Sequence, residues 1–189
     1  RGPCVALLRD KLPPDTIVCN GAGNFSGWVH RYWRYAATPC QLAPTSGTMG
    51  YGLPAAVAAA LRFRDRSVLC VAGDGDFLMN GQELATAAQH EANLLVIIVD
   101  NSSYGTIRMH QERDYPERLS ATTLHNPDFA ALARAFGAWA ATVERTEDFG
   151  PALDQALNRS GLRLLHLKTD VEVITNQTTI AALREKARG

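Results

Sequence analysis

Three short segments of this sequence combine residue types that could hold an anion and a cation together. Gly73-Asp74-Gly75-Asp76-Phe77-Leu78-Met79-Asn80 sets a carboxylate between two glycines, directly after an apolar run. Glycine lets backbone approach a phosphate closely, the start of a following helix favours negative charge, and a carboxylate between them can hold a cation. A plain Asp-Gly turn would use the same residues, so the octapeptide alone leaves both readings open. Asp100-Asn101-Ser102-Ser103-Tyr104-Gly105 is a second polar segment behind an apolar run, one strand–helix–strand unit later. That spacing makes the two strand ends neighbours on one rim, where an amide, a carboxylate and a loop carbonyl form an ordinary oxygen set for Mg²⁺. The third segment is Asn20-Gly21-Ala22-Gly23-Asn24-Phe25-Ser26-Gly27. Its glycines fall as GxGxxxG, not GxGxxG, and no Asp or Glu occurs between Asn20 and Asp65, where a ribose-binding acid would stand. A nucleotide-binding Rossmann module is opposed on both counts.

The elements that must position these segments are legible as short apolar runs alternating with helical patterns. Thr16–Cys19, Ser67–Ala72, Leu94–Val99, Trp139–Val143 and Leu162–Leu167 read as buried strands. The alternation predicts an α/β fold, doubly wound, with a mostly parallel sheet covered by helices on both faces. Asn80 followed by Glu83 predicts a capped helix to about Glu91. Asn126-Pro127-Asp128 predicts another, with Asn126 as cap and Gly137 as its close. Further helices are expected over Phe149–Asn158 and Thr178–Ala187, and Tyr35–Gly52 reads as one long functional loop. Lys+Arg and Asp+Glu both number 19, so no basic field points to nucleic acid or an anionic membrane. Cys4, Cys19, Cys40 and Cys70 lack CxxC spacing, which predicts neither disulfide nor zinc. The Ala-rich run from Pro54 to Leu61 is too short to span a bilayer, and the start has no signal-peptide layout. One soluble, cytoplasmic domain over residues 1–189 is the expectation.

Taken in order, Gly73-Asp74-Gly75, Asn80-Gly-Gln-Glu-Leu-Ala-Thr-Ala87, Asn93-Leu-Leu and Asp100-Asn101 resemble the thiamine-diphosphate motif, which opens with GDG and closes on an asparagine pair. Here the pair reads Asp-Asn, and the departure falls on the position that is not the metal ligand. Ser46-Gly-Thr-Met-Gly-Tyr-Gly-Leu-Pro-Ala-Ala56 is similar to the segment preceding GDG in acetolactate synthases and related 2-oxo-acid decarboxylases. The resemblance runs from about Leu12 to Thr169. It implies thiamine diphosphate and Mg²⁺ as cofactors, with Asp74 and Asn101 binding the metal through side chains and Ser103 through its carbonyl. Gly73, Gly75 and Asp76 would cradle the diphosphate with Asn24 and Phe25; Gly47 would accept a hydrogen bond from the pyrimidine amino group; Met49 would wedge between the cofactor rings. His110 and Gln111, in the run Tyr104–Gln111 beside the entrance, are candidate substrate-side residues. The resemblance further implies a 2-oxo acid substrate, and a catalytic glutamate supplied by a pyrimidine-binding domain on a neighbouring subunit. No residue of this chain takes that role, so the chain is expected to be one part of a longer homodimeric or homotetrameric enzyme, inactive alone. Val5–Leu12 reads as the entry from a preceding domain. Benzoylformate-type decarboxylases and aldehyde lyases share the motif and remain open.

Overall fold

The computed structural model describes residues 1–36 and 40–188. In chain order it runs α1 (Gly2–Lys11), β1 (Ile17–Asn20), α2 (Ser26–Tyr32), β2 (Gln41–Leu42), α3 (Gly52–Arg62), β3 (Val68–Gly73), α4 (Asp74–Asn80), α5 (Leu84–Gln89) and β4 (Leu94–Asp100). α6 (Gly105–Asp114), α7 (Phe129–Ala135), β5 (Trp139–Val143), α8 (Phe149–Leu157), β6 (Leu162–Lys168) and α9 (Ile180–Arg188) complete it. The strands form one six-stranded sheet in the order β2-β1-β3-β4-β6-β5, every pairing parallel.

A strand buried on both faces must be apolar at every position, and β3 and β4 show how that works. Leu94, Val96 and Ile98 point into one layer with Leu53, Val57, Phe77, Leu84 and Phe129 from α3, α4, α5 and α7. Leu95 and Ile97 point into the other, with Leu8, Trp28, Val29 and Leu153 from α1, α2 and α8. The doubly wound architecture is therefore as the alternation predicts, and the strand bounds agree to within a residue or two.

Local expectations fail where a tertiary partner outbids a local one. Tyr35–Gly52 is not loop throughout: Gln41–Leu42 pairs with Val18 and Cys19 as an edge strand, too short to leave a periodic signal, while residues 37–39 lie outside the described residues. Asn80 stands at the N-cap of the helical turn Gly81–Glu83 that leads into α5, as expected, but its side chain makes no cap bond. Helix begins already at Asp74, directly off β3, and the Asn80 amide instead donates to the Gly50 carbonyl at 2.9 Å. Asn126 is no cap; Asp128 fills that place, accepting from Ala131 N at 3.0 Å, and Gly137 follows the helix at φ +85°.

The C-terminal helix is fastened by a buried carboxylate. Glu112, with its side chain fully out of solvent, accepts from Arg184 Nε at 2.7 Å and Nη2 at 2.6 Å, and from Glu117 N at 3.1 Å. Arg184 holds its pKa below the usual carboxylate value of 4.5 against the opposing effect of burial. A depressed acid stabilises the fold above its unfolded pKa, and that contribution is lost as pH falls through the folded one. Hydrogen exchange of α9, taken relative to the intrinsic amide rate at each pH, should accordingly accelerate on acidification below about pH 4.5. In Arg184→Ala it should be fast already at neutral pH, and equal protection of α9 in both proteins at pH 7 would contradict the fastening.

Candidate functional site

Along the sheet, the chain leaves β1 outward to β2 and returns across β1 to β3, so the order reverses between β1 and β3. In open parallel sheets the crevice beyond the strand ends at such a reversal is where ligands bind. A cleft of about 250 Å³ lies there, and Asn24, Phe25, Gly47, Met49, Gly73, Asp74, Gly75, Asp76, Asn101 and Ser103 all line it. The sequence thus named residues from four separated segments that the fold brings to one place. His110 and Gln111 do not belong to that wall. His110 is exposed, and Gln111 braces the following loop through Ser120 and Thr122; Tyr104 to Ile107 are the residues of that run that reach the cleft. Arg1, which no sequence signal singled out, also lines it and lies 4.7 Å over the Trp28 ring.

The glycines are spacing devices. A Cβ on Gly73 would sit 2.8 Å from the Phe25 ring, and one on Gly75 would sit 2.5 Å from the Tyr104 ring. Backbone is therefore sandwiched between aromatic faces at the floor of the cleft. Asp76 is buried, and its Oδ1 accepts from Gly50 N at 2.8 Å and Ala22 N at 3.1 Å. Its side chain ties two loops together, so it is the backbone of Asp76 that is left to face a ligand. Asn24 is fixed by Thr106 at 3.0 Å and by the Ile174 carbonyl at 3.2 Å. Gly47, at φ +66° with nothing packed above its Cα, takes a backbone conformation that only glycine adopts cheaply.

At the far wall three oxygen-bearing groups converge. The Ser103 amide donates to Asp74 Oδ2 at 3.3 Å and to Asn101 Oδ1 at 3.2 Å. This depends on a left-handed residue, Ser102 at φ +53°, whose N–H is held by Asp100 Oδ1 at 2.9 Å. Asp74 is almost wholly buried and makes no ion pair among the described residues. Burial pushes its pKa up to about 6, against the pull of the Asn126 amide and Gly75 N–H, and nearby Asp100 pushes the same way. A carboxylate so raised lacks a cation. Among the described residues no three His, Cys, Asp or Glu side chains gather, so a metal here would be a hard one taking mixed oxygen ligands, as Mg²⁺ does.

Asp100 is opposite in character. Burial works against its charge too, but His166 at 2.7 Å and Lys168 at 2.6 Å, with Ser102 N and Asn126, hold it well below the carboxylate range. Asn126 joins the two acids: its Nδ2 donates to Asp74 Oδ2 and to Asp100 Oδ1, each at 2.8 Å. No sequence signal marks this role. Asn126 lies far along the chain, and its type and neighbours read as a helix cap.

Residues 21–167 match the family model described as thiamine pyrophosphate enzyme, C-terminal TPP binding domain. The chain is 38% identical over 165 residues to the acetolactate synthase isozyme 2 large subunit of Escherichia coli (strain K12), covering 86% of this chain and 30% of that protein. It is 43% identical over 135 residues to the acetolactate synthase large subunit of Parasynechococcus marenigrum (strain WH8102), covering 70% and 22%. Among solved structures it is similar to the thiamine diphosphate-dependent 4-hydroxybenzoylformate decarboxylase of Rhodococcus jostii RHA1, with TM-score 0.82, 30% identity, and 89% and 32% of the two chains covered. The chain therefore spans less than a third of the length of these proteins.

Proposed function

We propose, from the premise that this chain belongs to the thiamine pyrophosphate enzyme family through its C-terminal TPP-binding domain, that its cleft is the diphosphate and cation half of an acetolactate-synthase-like active site. Thiamine pyrophosphate and thiamine diphosphate are the same compound. The observation that carries the reading is the meeting of Asp74 and Asn101 on the Ser103 amide, one wall of a cleft whose floor is glycine backbone. Asp74 and Asn101 side chains and the Ser103 carbonyl would hold Mg²⁺, which offsets the buried Asp74 charge and also takes phosphate oxygens. The backbone of Gly73, Gly75 and Asp76, with Asn24 and Phe25, would carry the diphosphate. The Gly47 carbonyl would orient the pyrimidine and Met49 would keep the two rings bent together. When bound, the cofactor would supply the nucleophilic carbon and electron sink that decarboxylation of a 2-oxo acid needs.

The 189 residues form one domain of a longer cytoplasmic enzyme, a homodimer or homotetramer, in which a pyrimidine-binding domain of a neighbouring subunit brings the activating glutamate. A benzoylformate-type decarboxylase is the second reading, favoured by the likeness to the Rhodococcus structure. Turnover of the full-length protein decides between them. With pyruvate, acetolactate and CO₂ should form; with benzoylformate, an aldehyde would mark the second reading. Residues 1–189 alone should turn over neither, and a decarboxylase rate from them would contradict the half-site.

A further inference from the structure

We propose that Asn126 is a positioning residue of the cation site, holding Asp74 in the one orientation that keeps a carboxylate oxygen free for the metal; this rests on the reading of Asp74 as a metal ligand. An amide nitrogen carries two N–H groups, and Asn126 uses both on carboxylates, so its orientation is fixed: the oxygen could not replace the nitrogen beside two acceptors. Among the described residues it is the only side chain that donates to Asp74. The bond to Asp74 from Ser103 N is longer at 3.3 Å and shared with Asn101. Both fall on Oδ2, and no side chain among the described residues bonds Oδ1, the Gly75 N–H being the one further group that draws on the carboxylate.

What makes the grip firm is the far side of the bridge. Asp100 Oδ2 is held by His166 and Lys168, its carbonyl accepts from Thr169 N at 2.7 Å, and β4 and β6 pair through Asp100 and Lys168. The segment that carries Asn126 is strapped to the ligand turn as well: Tyr104 N donates to Thr122 O and Leu124 N to Ser102 O, both at 2.9 Å. Asn126 thereby passes the rigidity of two central strands to Asp74. Residues that orient metal ligands without touching the metal are worth about 10–100-fold in affinity.

The test uses the full-length protein with thiamine diphosphate and Mn²⁺ as probe, free Mn²⁺ being read by its electron paramagnetic resonance signal. Asn126→Ala should weaken Mn²⁺ binding about tenfold or more, with a metal-free melting temperature close to the parent. Asp128→Ala, which removes the neighbouring helix cap, should lower the melting temperature and leave Mn²⁺ affinity alone, a pattern a merely structural Asn126 would share. Should Asn126→Ala not fold, Asn126→Ser, whose single hydroxyl cannot span both carboxylates, is read the same way. Unchanged Mn²⁺ affinity in the Asn126 variant, with affinity lost in Asp74→Ala, overturns the inference and spares the cation site. Unchanged affinity in Asp74→Ala itself overturns both.

Discussion

Asp74→Ala is expected to abolish the Mg²⁺-dependent stabilisation of the protein by thiamine diphosphate while leaving the metal-free melting temperature nearly where it was. The two halves of that result have different causes. A ligand at a hundred times its dissociation constant adds about 2.7 kcal/mol, and all of it disappears if the metal has no anionic ligand. The metal-free protein, by contrast, loses little: Ser103 N keeps Asn101 Oδ1, and the one Asn126 N–H that loses its acceptor, while the other keeps Asp100, is offset by removal of a buried carboxylate charge. The raised pKa of Asp74 says the same thing, since burial of its charge opposes folding and is not a source of stability. A large fall in metal-free stability would mean that Asp74 is a structural residue.

Gly52→Ala is expected to destabilise the protein at the upper end of about 1–3 kcal/mol, the usual cost of overpacking. Alanine favours helix over glycine by about 1 kcal/mol, so propensity alone predicts the opposite sign for a residue in the first turn of α3. The added Cβ would stand 2.7 Å from Gly21 N and 3.0 Å from the Asn20 carbonyl carbon. Those are backbone atoms, and they cannot retreat: Asn20 pairs with Val71, and Gly21 N donates to Val71 O at 3.3 Å. Because this is the floor between β1 and α3, the strain falls on the loop that carries Asn24 and Phe25, so cofactor affinity should fall with stability. A thermal melt checks the first and a cofactor titration the second; a stabilised variant would show that the close approach of α3 to β1 is not real.

The central strands were readable because burial on both faces demands an unbroken apolar run, and Leu94–Val99 is short, β-branched and bounded by polar residues as such a strand requires. Gln41–Leu42 was not, since two residues carry no period. Eight of the ten cleft residues were readable for a different reason, since they follow strand ends and strand ends share a rim, whereas Gly47 and Met49 came from the family resemblance alone. Legibility stops at side chains that have two uses. Asn80 and Asn126 are both good helix caps by type, yet Asn80 reaches Gly50 and Asn126 reaches two aspartates from other elements. Asp100 stood out only as a departure from the asparagine expected there. Its partners explain the departure: with His166 and Lys168 on one oxygen and the Ser102 turn on the other, the position suits an anion. Neither partner is adjacent in sequence, so the pairing exists only once β4 and β6 lie side by side.

The most direct measurement is the thermal melt of the full-length protein with thiamine diphosphate, run with Mg²⁺, with chelator in its place, and beside an NAD control. An upward shift with thiamine diphosphate that needs Mg²⁺ is the result expected of a cleft built from Asp74, Asn101 and the glycine floor; a shift with NAD and none with thiamine diphosphate would contradict it.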